Sequence, residues 1–363
     1  MDKVKPSLID WLARATNKEV HSPLLIQSLW SGYGACFRAT LFDNADNSLT
    51  PVVAKCVQPS LEISHPKGWQ SNTSHLRKCR SFEVEHYFYT QLQPSTNANC
   101  LTPTCLAAAS ETSVTSNTPA NSAANLDAKA VINVDNNLES SGDNNSSAHI
   151  LVMGDLVDAG YTQCATSLSV KQAQSVLRWL AAFHARFMGI VDPHVWPEGT
   201  YWHLSTRQDE WQAMEDSPLK KEANRLSTQL SSARFQTLLH GDAKVANFCF
   251  TPDFSQCAGV DFQYTGLGVG MKDVAYFIGS ALSESDQRAH TTSCLDYYFD
   301  CLGSQLIGTQ YEFQYPEIEQ EWRALYPTAC ADFNRFLAGW SPDHWKINGE
   351  LTRQTNIALA TLI

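Results

Sequence analysis

No pair of cysteines in this chain is spaced as CxxC. The eleven cysteines fall at positions 36, 56, 79, 100, 105, 164, 249, 257, 294, 301 and 330, scattered and odd in number. That pattern excludes a disulfide framework and gives no Cys/His cluster with zinc-ligand spacing. Long apolar runs are also missing. No stretch approaches the roughly 18 apolar residues a membrane helix needs, and Met1-Asp2-Lys3-Val4-Lys5-Pro6 lacks the apolar core of a signal peptide. These absences together predict a cytoplasmic protein with reduced, inert thiols. Positive charge is scarce too: 26 Lys and Arg stand against 37 Asp and Glu, a net charge of −11. An acidic chain is a poor binder of nucleic acid or of an anionic membrane, so neither is expected as a partner. A neutral or cationic small ligand is compatible with it.

What remains is ample material for folding. The 363 residues are 43% hydrophobic and 10% aromatic, enough for two lobes with their own cores. The first part is strand-like. Leu24-Leu25-Ile26 and Cys36-Phe37-Arg38-Ala39-Thr40-Leu41 flank a glycine turn, Ser31-Gly32-Tyr33-Gly34, and Pro51-Val52-Val53-Ala54-Lys55-Cys56-Val57 follows a polar turn. Residues 77–93 carry Phe82, Glu85, Tyr89 and Leu92 at helical spacing. Residues 95–148 turn polar and repetitive and read as an insertion, with Ala130-Val131-Ile132-Asn133-Val134 a candidate short strand inside it. After a strand at His149–Met153 the chain becomes helical. Ser169 and Gln172 make a capping box ahead of the face Ala173, Val176, Leu177, Leu180, Ala181, His184 and Phe187. Strands first and helices later predict an α+β fold with segregated parts.

The chemistry concentrates in Leu239-His240-Gly241-Asp242-Ala243-Lys244-Val245-Ala246-Asn247-Phe248, with Gly259-Val260-Asp261-Phe262-Gln263 downstream. An H-x-D-x-x-x-x-N segment followed by an aspartate at a strand end is a phosphoryl-transfer arrangement. An acceptor hydroxyl needs a carboxylate to orient it and take its proton, which Asp242 supplies. Mg2+ prefers oxygen ligands, which Asn247 and Asp261 supply. Lys244 can offset charge on the transferring phosphate. Lys55 ends a buried-looking strand, where a lysine is costly unless paired; a phosphate and a carboxylate both justify it. Glu85 is the expected carboxylate, with Glu83 its competitor on another helix face. Ser31, Gly32 and Gly34 stand where a turn can cover nucleotide phosphates.

These residues resemble the aminoglycoside phosphotransferase and choline kinase superfamily, which shares the protein-kinase-like fold. Asp261-Phe262-Gln263 and Glu85-x-x-Phe88-Tyr89 lean toward its ecdysteroid-kinase-like branch. The resemblance implies ATP and Mg2+ as cofactors, a nucleotide-binding lobe over residues 1–153 with a small antiparallel sheet and one helix, and a larger helical catalytic lobe over 154–363. It implies Asp242 as catalytic base, Asn247 and Asp261 as metal ligands, and Lys55 with Glu85 on the phosphates. It likens Val152-Met153-Gly154-Asp155-Leu156 to an adenine-binding hinge, which places Met153 and Asp155 beside the nucleotide. Asp273 is similar to the aspartate that braces the catalytic loop, and His184 is expected to be structural.

No Ala-Pro-Glu segment follows Asp261, which argues against a peptide substrate. Gly266-Leu267-Gly268-Val269-Gly270 departs from GxGxxG and reads as a short substitute for an activation segment. A nucleotide-binding pseudokinase is the alternative, disfavoured because Lys55, Asp242, Asn247 and Asp261 all occur together. The acceptor is expected to be a small-molecule alcohol, cationic or apolar. Trp196, Tyr201, Trp202 and Trp211 among Glu198, Asp209, Glu210, Glu215 and Asp216, with Trp340 and Trp345 further on, offer either a cage for an ammonium group or helix packing.

Overall fold

The computed structural model describes residues 3–29, 32–59, 72–112 and 147–362. The chain starts with helix α1 (Pro6–Thr16) and strands β1 (Glu19–Ser28), β2 (Gly34–Asp43) and β3 (Ser48–Val57). Helix α2 (Asn72–Tyr87) then runs without a break into a π-helical turn, Phe88–Leu92. Strands β4 (Cys105–Thr112) and β5 (Ser147–Gly154) complete a five-stranded sheet in the order β1-β2-β3-β5-β4, every neighbouring pair antiparallel.

Side chains alternate across this sheet as the pleat requires. One face presents Ala35, Phe37, Ala39 and Leu41 from β2, Val52, Ala54 and Cys56 from β3, and Ile150 and Val152 from β5. Helix α1 covers that face with Leu8, Trp11 and Leu12. The motifs did not announce this helix. It is short, with Pro6 in its first turn and Asn17 closing it in the left-handed region at φ 53°. The opposite face carries Val53 and Lys55 and looks into the cleft. There α2 packs Val84, Phe88 and Tyr89.

The supposed insertion is shorter than its composition implied. Residues 105–112, inside the polar stretch, form strand β4, paired with β5 from Cys105↔Met153 to Thr112↔Ser147. Leu106-Ala107-Ala108-Ala109 lacks the β-branched and aromatic residues that mark strands, so pairing with β5 decides its state. The candidate strand at 130–134 lies outside the described residues.

The second lobe is built on α3 (Val170–Arg186). Ser169 caps it, and both halves of the expected capping box form. Helices α4 (Gln208–Ala213), α5 (Pro218–Lys221) and α6 (Ala223–Ser231) follow. Strand β6 (Thr237–Leu239) leads into the catalytic segment, and β7 (Phe248–Phe250) pairs with β8 (Cys257–Gly259). Strand β9 (Gly266–Gly268) returns beside β6, pairing Leu239 with Gly266. The glycine-rich run is thus a strand, with Gly270 capping the next helix. Helices α7 (Met271–Ala281), α8 (Glu284–Leu306), α9 (Tyr315–Trp340) and α10 (Gly349–Thr361) complete the lobe. One apolar core links the lobes: Phe88 of the first stacks on Phe262 of the second at 3.7 Å between ring centres and 8° between planes. None of the described helices is long and apolar enough to cross a membrane.

Candidate active site

The His240–Asn247 loop is held in shape from below. Asp273, in the first turn of α7, accepts the backbone N–H of His240 at 2.6 Å and of Gly241 at 3.0 Å. His184 of α3 approaches the same carboxylate at 3.2 Å and Tyr298 at 2.8 Å, and is wholly buried. His184 is therefore a strut, and Asp273 fixes the loop. Gly241 has φ 81°, and a Cβ there would lie 1.9 Å from the Tyr264 carbonyl oxygen. Only glycine fits.

The fixed loop aims Asp242 at the cleft. Its Oδ2 accepts from Lys244 Nζ at 2.8 Å and from Asn247 Nδ2 at 3.0 Å, and Asn247 Nδ2 also donates to the Asp242 carbonyl at 2.8 Å. Its Oδ1 is buried and makes no hydrogen bond of ordinary geometry among the described residues, with the Tyr276 hydroxyl its polar neighbour. A buried carboxylate oxygen left open is costly unless something else occupies it. Burial works against the charge of Lys244, but Asp242 and Asp261 outweigh it and raise the lysine's pKa.

Lys55 crosses from β3 to meet Glu85 of α2 at 2.7 Å and Asp261 at 3.1 Å. The expected choice of Glu85 over Glu83 holds: Glu83 turns outward to Arg80 at 3.1 Å. Burial disfavours the Lys55 charge, yet Asp261 and Glu85 raise its pKa. Burial raises the pKa of Glu85 despite Lys55. For Asp261 the balance reverses. Burial pushes its pKa up, but Lys55, Lys244 and Lys78 hold the carboxyl well below the usual range. Asp261 also sits at φ 71°, a left-handed turn at the end of β8.

Two residues at the site were not singled out in the sequence. Gln263 donates to Glu85 at 3.2 Å and accepts from Lys78 Nζ at 2.7 Å. Helical periodicity marks the face of α2 on which Glu85 lies, but Lys78 reads as an ordinary exposed lysine.

The glycine turn serves the sheet as well as any ligand. A Cβ on Gly34 (φ 148°) would lie 1.9 Å from the Cys56 carbonyl oxygen, so β2 approaches β3 there only as glycine. The Leu29 N–H bonds back to the Gly34 carbonyl at 2.8 Å, with Gly32 at φ 76° inside the loop. Ser31 lies outside the described residues. At the hinge, the Gly154 and Asp155 N–H groups bond to the carbonyls of Thr104 and Pro51. The Asp155 carboxylate accepts from Arg38 of β2 at 2.6 Å. Asp155 is thus engaged within the fold, and Met153 is buried beside it.

A cavity of about 580 Å³ opens over Asp242, Lys244 and Asp261. Tyr201, Tyr264, Tyr276, Phe333 and Trp340 give it an aromatic wall. Of the two alternatives for the tryptophan-rich segment, helix packing is what these residues do. Trp202 is buried against Tyr276 and Phe333 in the core. The Trp196 and Trp211 indoles donate to the carbonyls of Gln263 and Lys220. Of the carboxylates, Glu198 pairs with Lys272 and Glu210 with Arg207. Only Tyr201 and Trp340 of the aromatic set reach the cavity.

Residues 207–333, which contain the His240–Asn247 loop, match a family described as "Uncharacterized oxidoreductase dhs-27". No curated protein matches the chain. Among solved structures the chain is similar to a microcompartment-associated aminopropanol kinase at 13% identity, over 97% of this chain and 94% of that one, with a TM-score of 0.48. It is similar to the AMP-bound spectinomycin phosphotransferase APH(9)-Ia at 12% identity, over 98% and 95%, with a TM-score of 0.45. Choline kinase LicA from Streptococcus pneumoniae aligns at 10% identity over 98% and 100%, with a TM-score of 0.43.

Proposed function

We propose that this protein is an ATP- and Mg2+-dependent phosphotransferase that moves the γ-phosphate to a hydroxyl of a small molecule. The observation that carries this reading is Asp242. One carboxylate oxygen is clamped by Lys244 and Asn247, and the other is buried, without a hydrogen bond of ordinary geometry, and at the wall of the cavity. That is the state of a base awaiting a hydroxyl. The acceptor oxygen bonds to the γ-phosphorus as the bond from that phosphorus to the leaving ADP oxygen breaks. The acceptor proton passes to Asp242.

The other residues position and neutralise. Lys55, set by Glu85, faces the nucleotide phosphates, and Lys244 offsets charge on the group in transit. The bonds to Asp242 orient the Asn247 amide so that its Oδ1 is the atom free for a metal. Asp261, kept ionised by the surrounding lysines, supplies the second protein ligand. No three His, Cys, Asp or Glu side chains among the described residues group around a metal position. Mg2+ held by two protein groups, with phosphates and water completing the shell, fits that sparse donor set. When bound, Mg2+ supplies neutralisation of the phosphate charge. Residues 1–153 form the nucleotide-binding lobe in this reading, and 154–363 the catalytic lobe. Eleven unpaired cysteines fit a cytoplasmic setting.

The family description names an oxidoreductase, and the architecture speaks against that activity here. A dinucleotide crevice forms at the carboxyl ends of parallel strands, whereas all pairs in the five-stranded sheet are antiparallel. The test is Mg2+-dependent ADP release from ATP across a panel of small alcohols, with Asp242→Asn as control. Acceptor-dependent release lost in the variant is expected. Nucleotide binding without turnover on any acceptor would favour a pseudokinase.

A further inference from the structure

The charge of the cavity is opposite to that of the protein. The chain carries a net −11, yet Arg77, Lys78, Arg207, Lys244 and Lys346 line the cavity, and Asp242 and Asp261 are the carboxylates among its described lining residues, with Arg207 paired to Glu210 and Lys244 to Asp242. Part of this positive charge surrounds Asp261, on which Lys55, Lys78 and Lys244 all act. Lys346 is placed differently. It lies on the segment joining α9 to α10, and its ammonium stands over the Tyr276 ring at 4.3 Å and near Phe333 at 5.7 Å. The charges it feels are Asp242 and Lys244. No ion pair or side-chain hydrogen bond to its Nζ occurs among the described residues. Burial against aromatic faces depresses its pKa to about 8 despite Asp242. An ammonium half-sunk without a carboxylate is an unfavourable arrangement that cation–π contact offsets only in part. Arg77, on the α2 wall, carries a guanidinium whose Nη1 donates to the Thr206 carbonyl at 2.7 Å, which anchors it to the rim of the same cavity.

We propose that the acceptor alcohol carries an anionic group, a carboxylate or its equivalent, beside a flat apolar body, with Lys346 as the group that receives the anion. The inference rests on the phosphotransferase reading and names its substrate class. The flat body lies against Tyr201, Tyr276, Phe333 and Trp340. The anion meets Lys346 in the positive field that Arg77 reinforces, and the hydroxyl meets Asp242. A cationic acceptor would face repulsion from the same wall.

The test is isothermal titration of the full chain, with and without a non-hydrolysable ATP analogue and Mg2+. Three matched probes are compared: 4-(hydroxymethyl)benzoate, its methyl ester, and 4-(hydroxymethyl)benzylamine. The carboxylate is expected to bind at least about tenfold tighter than the other two, the equivalent of one well-placed charge contact. In Lys346→Met the advantage should collapse toward unity with the ester unchanged, and Lys346→Arg should restore it. Equal affinity for ester or amine, no binding of any probe, or an advantage that survives Lys346→Met would overturn the proposal. Binding of the ATP analogue is read in the same experiment. Its absence, with the carboxylate preference intact, would sink the phosphotransferase reading while upholding the anion site.

Discussion

Asn247 grips Asp242 twice, donating one amide nitrogen to the carboxylate at 3.0 Å and to the backbone carbonyl at 2.8 Å. The five-residue spacing between them therefore closes a ring around the base. With Lys244 on the same oxygen, the free oxygen of Asp242 can point only one way, and pre-set orientation of this kind is where much of phosphoryl-transfer catalysis lies.

Asp242→Asn should leave nucleotide affinity near the wild-type value and cut turnover by roughly 10²–10⁴-fold, the range of a lost general base. Titration of ATP with Mg2+ beside steady-state ADP release separates the two effects. A collapse in nucleotide affinity would make Asp242 structural.

Gly241→Ala should destabilise the fold by roughly 3 kcal/mol or more, because it meets both a backbone collision and a left-handed φ. The urea midpoint would report it. Gly279→Ala, where a Cβ meets nothing within 4 Å, should leave that midpoint unchanged or raise it.

Asp261 predicts an acid limb. Its folded pKa lies below the unfolded one, so its stabilisation is present above about pH 4 and disappears as pH falls further. Glu85, with a raised folded pKa, works in the opposite sense, favouring the fold at low pH. The urea midpoint of Asp261→Asn should therefore fall less steeply than the wild type below about pH 4. Parallel curves would refute the ion-pair account.

Lys346 predicts an alkaline limb in ligand binding. The groups around it are Asp242 and Lys244 on the catalytic loop, Tyr276 on α7, His344 on its own segment, and Glu350 on α10. Affinity for the carboxylate probe should decline as pH rises through about 8, where Lys346 loses its proton. The methyl ester should show no such decline.

The catalytic loop was legible because its chemistry is local: Asp242, Lys244 and Asn247 lie within six residues, and Asp261 follows a short hairpin. Lys55 and Glu85 were legible because a lysine in an apolar strand demands a partner. Strand β4 was hidden, since its alanines become a strand only by pairing with β5. Helix α1 was hidden because eleven residues give too few periods to read. The choice between aromatic cage and helix packing stayed open in the sequence for a related reason. Composition places Trp196, Trp202 and Trp211 near one another in sequence, but each finds its own packing site. The cationic character of the cavity was invisible, because Arg77 and Lys346 come from opposite ends of the chain and only the fold sums their charges.

Three consecutive side chains tie the Asp261-Phe262-Gln263 tripeptide to the first lobe: Asp261 to Lys55, Phe262 to Phe88, and Gln263 to Glu85 and Lys78. Asp261 is therefore coupled mechanically to α2, although its backbone belongs to the other lobe. A tripeptide anchored at every position has no inward and outward settings to alternate between. A substitution that shifted α2 would therefore disturb Lys55's partner Glu85 and the Asp261-Phe262-Gln263 tripeptide in a single movement.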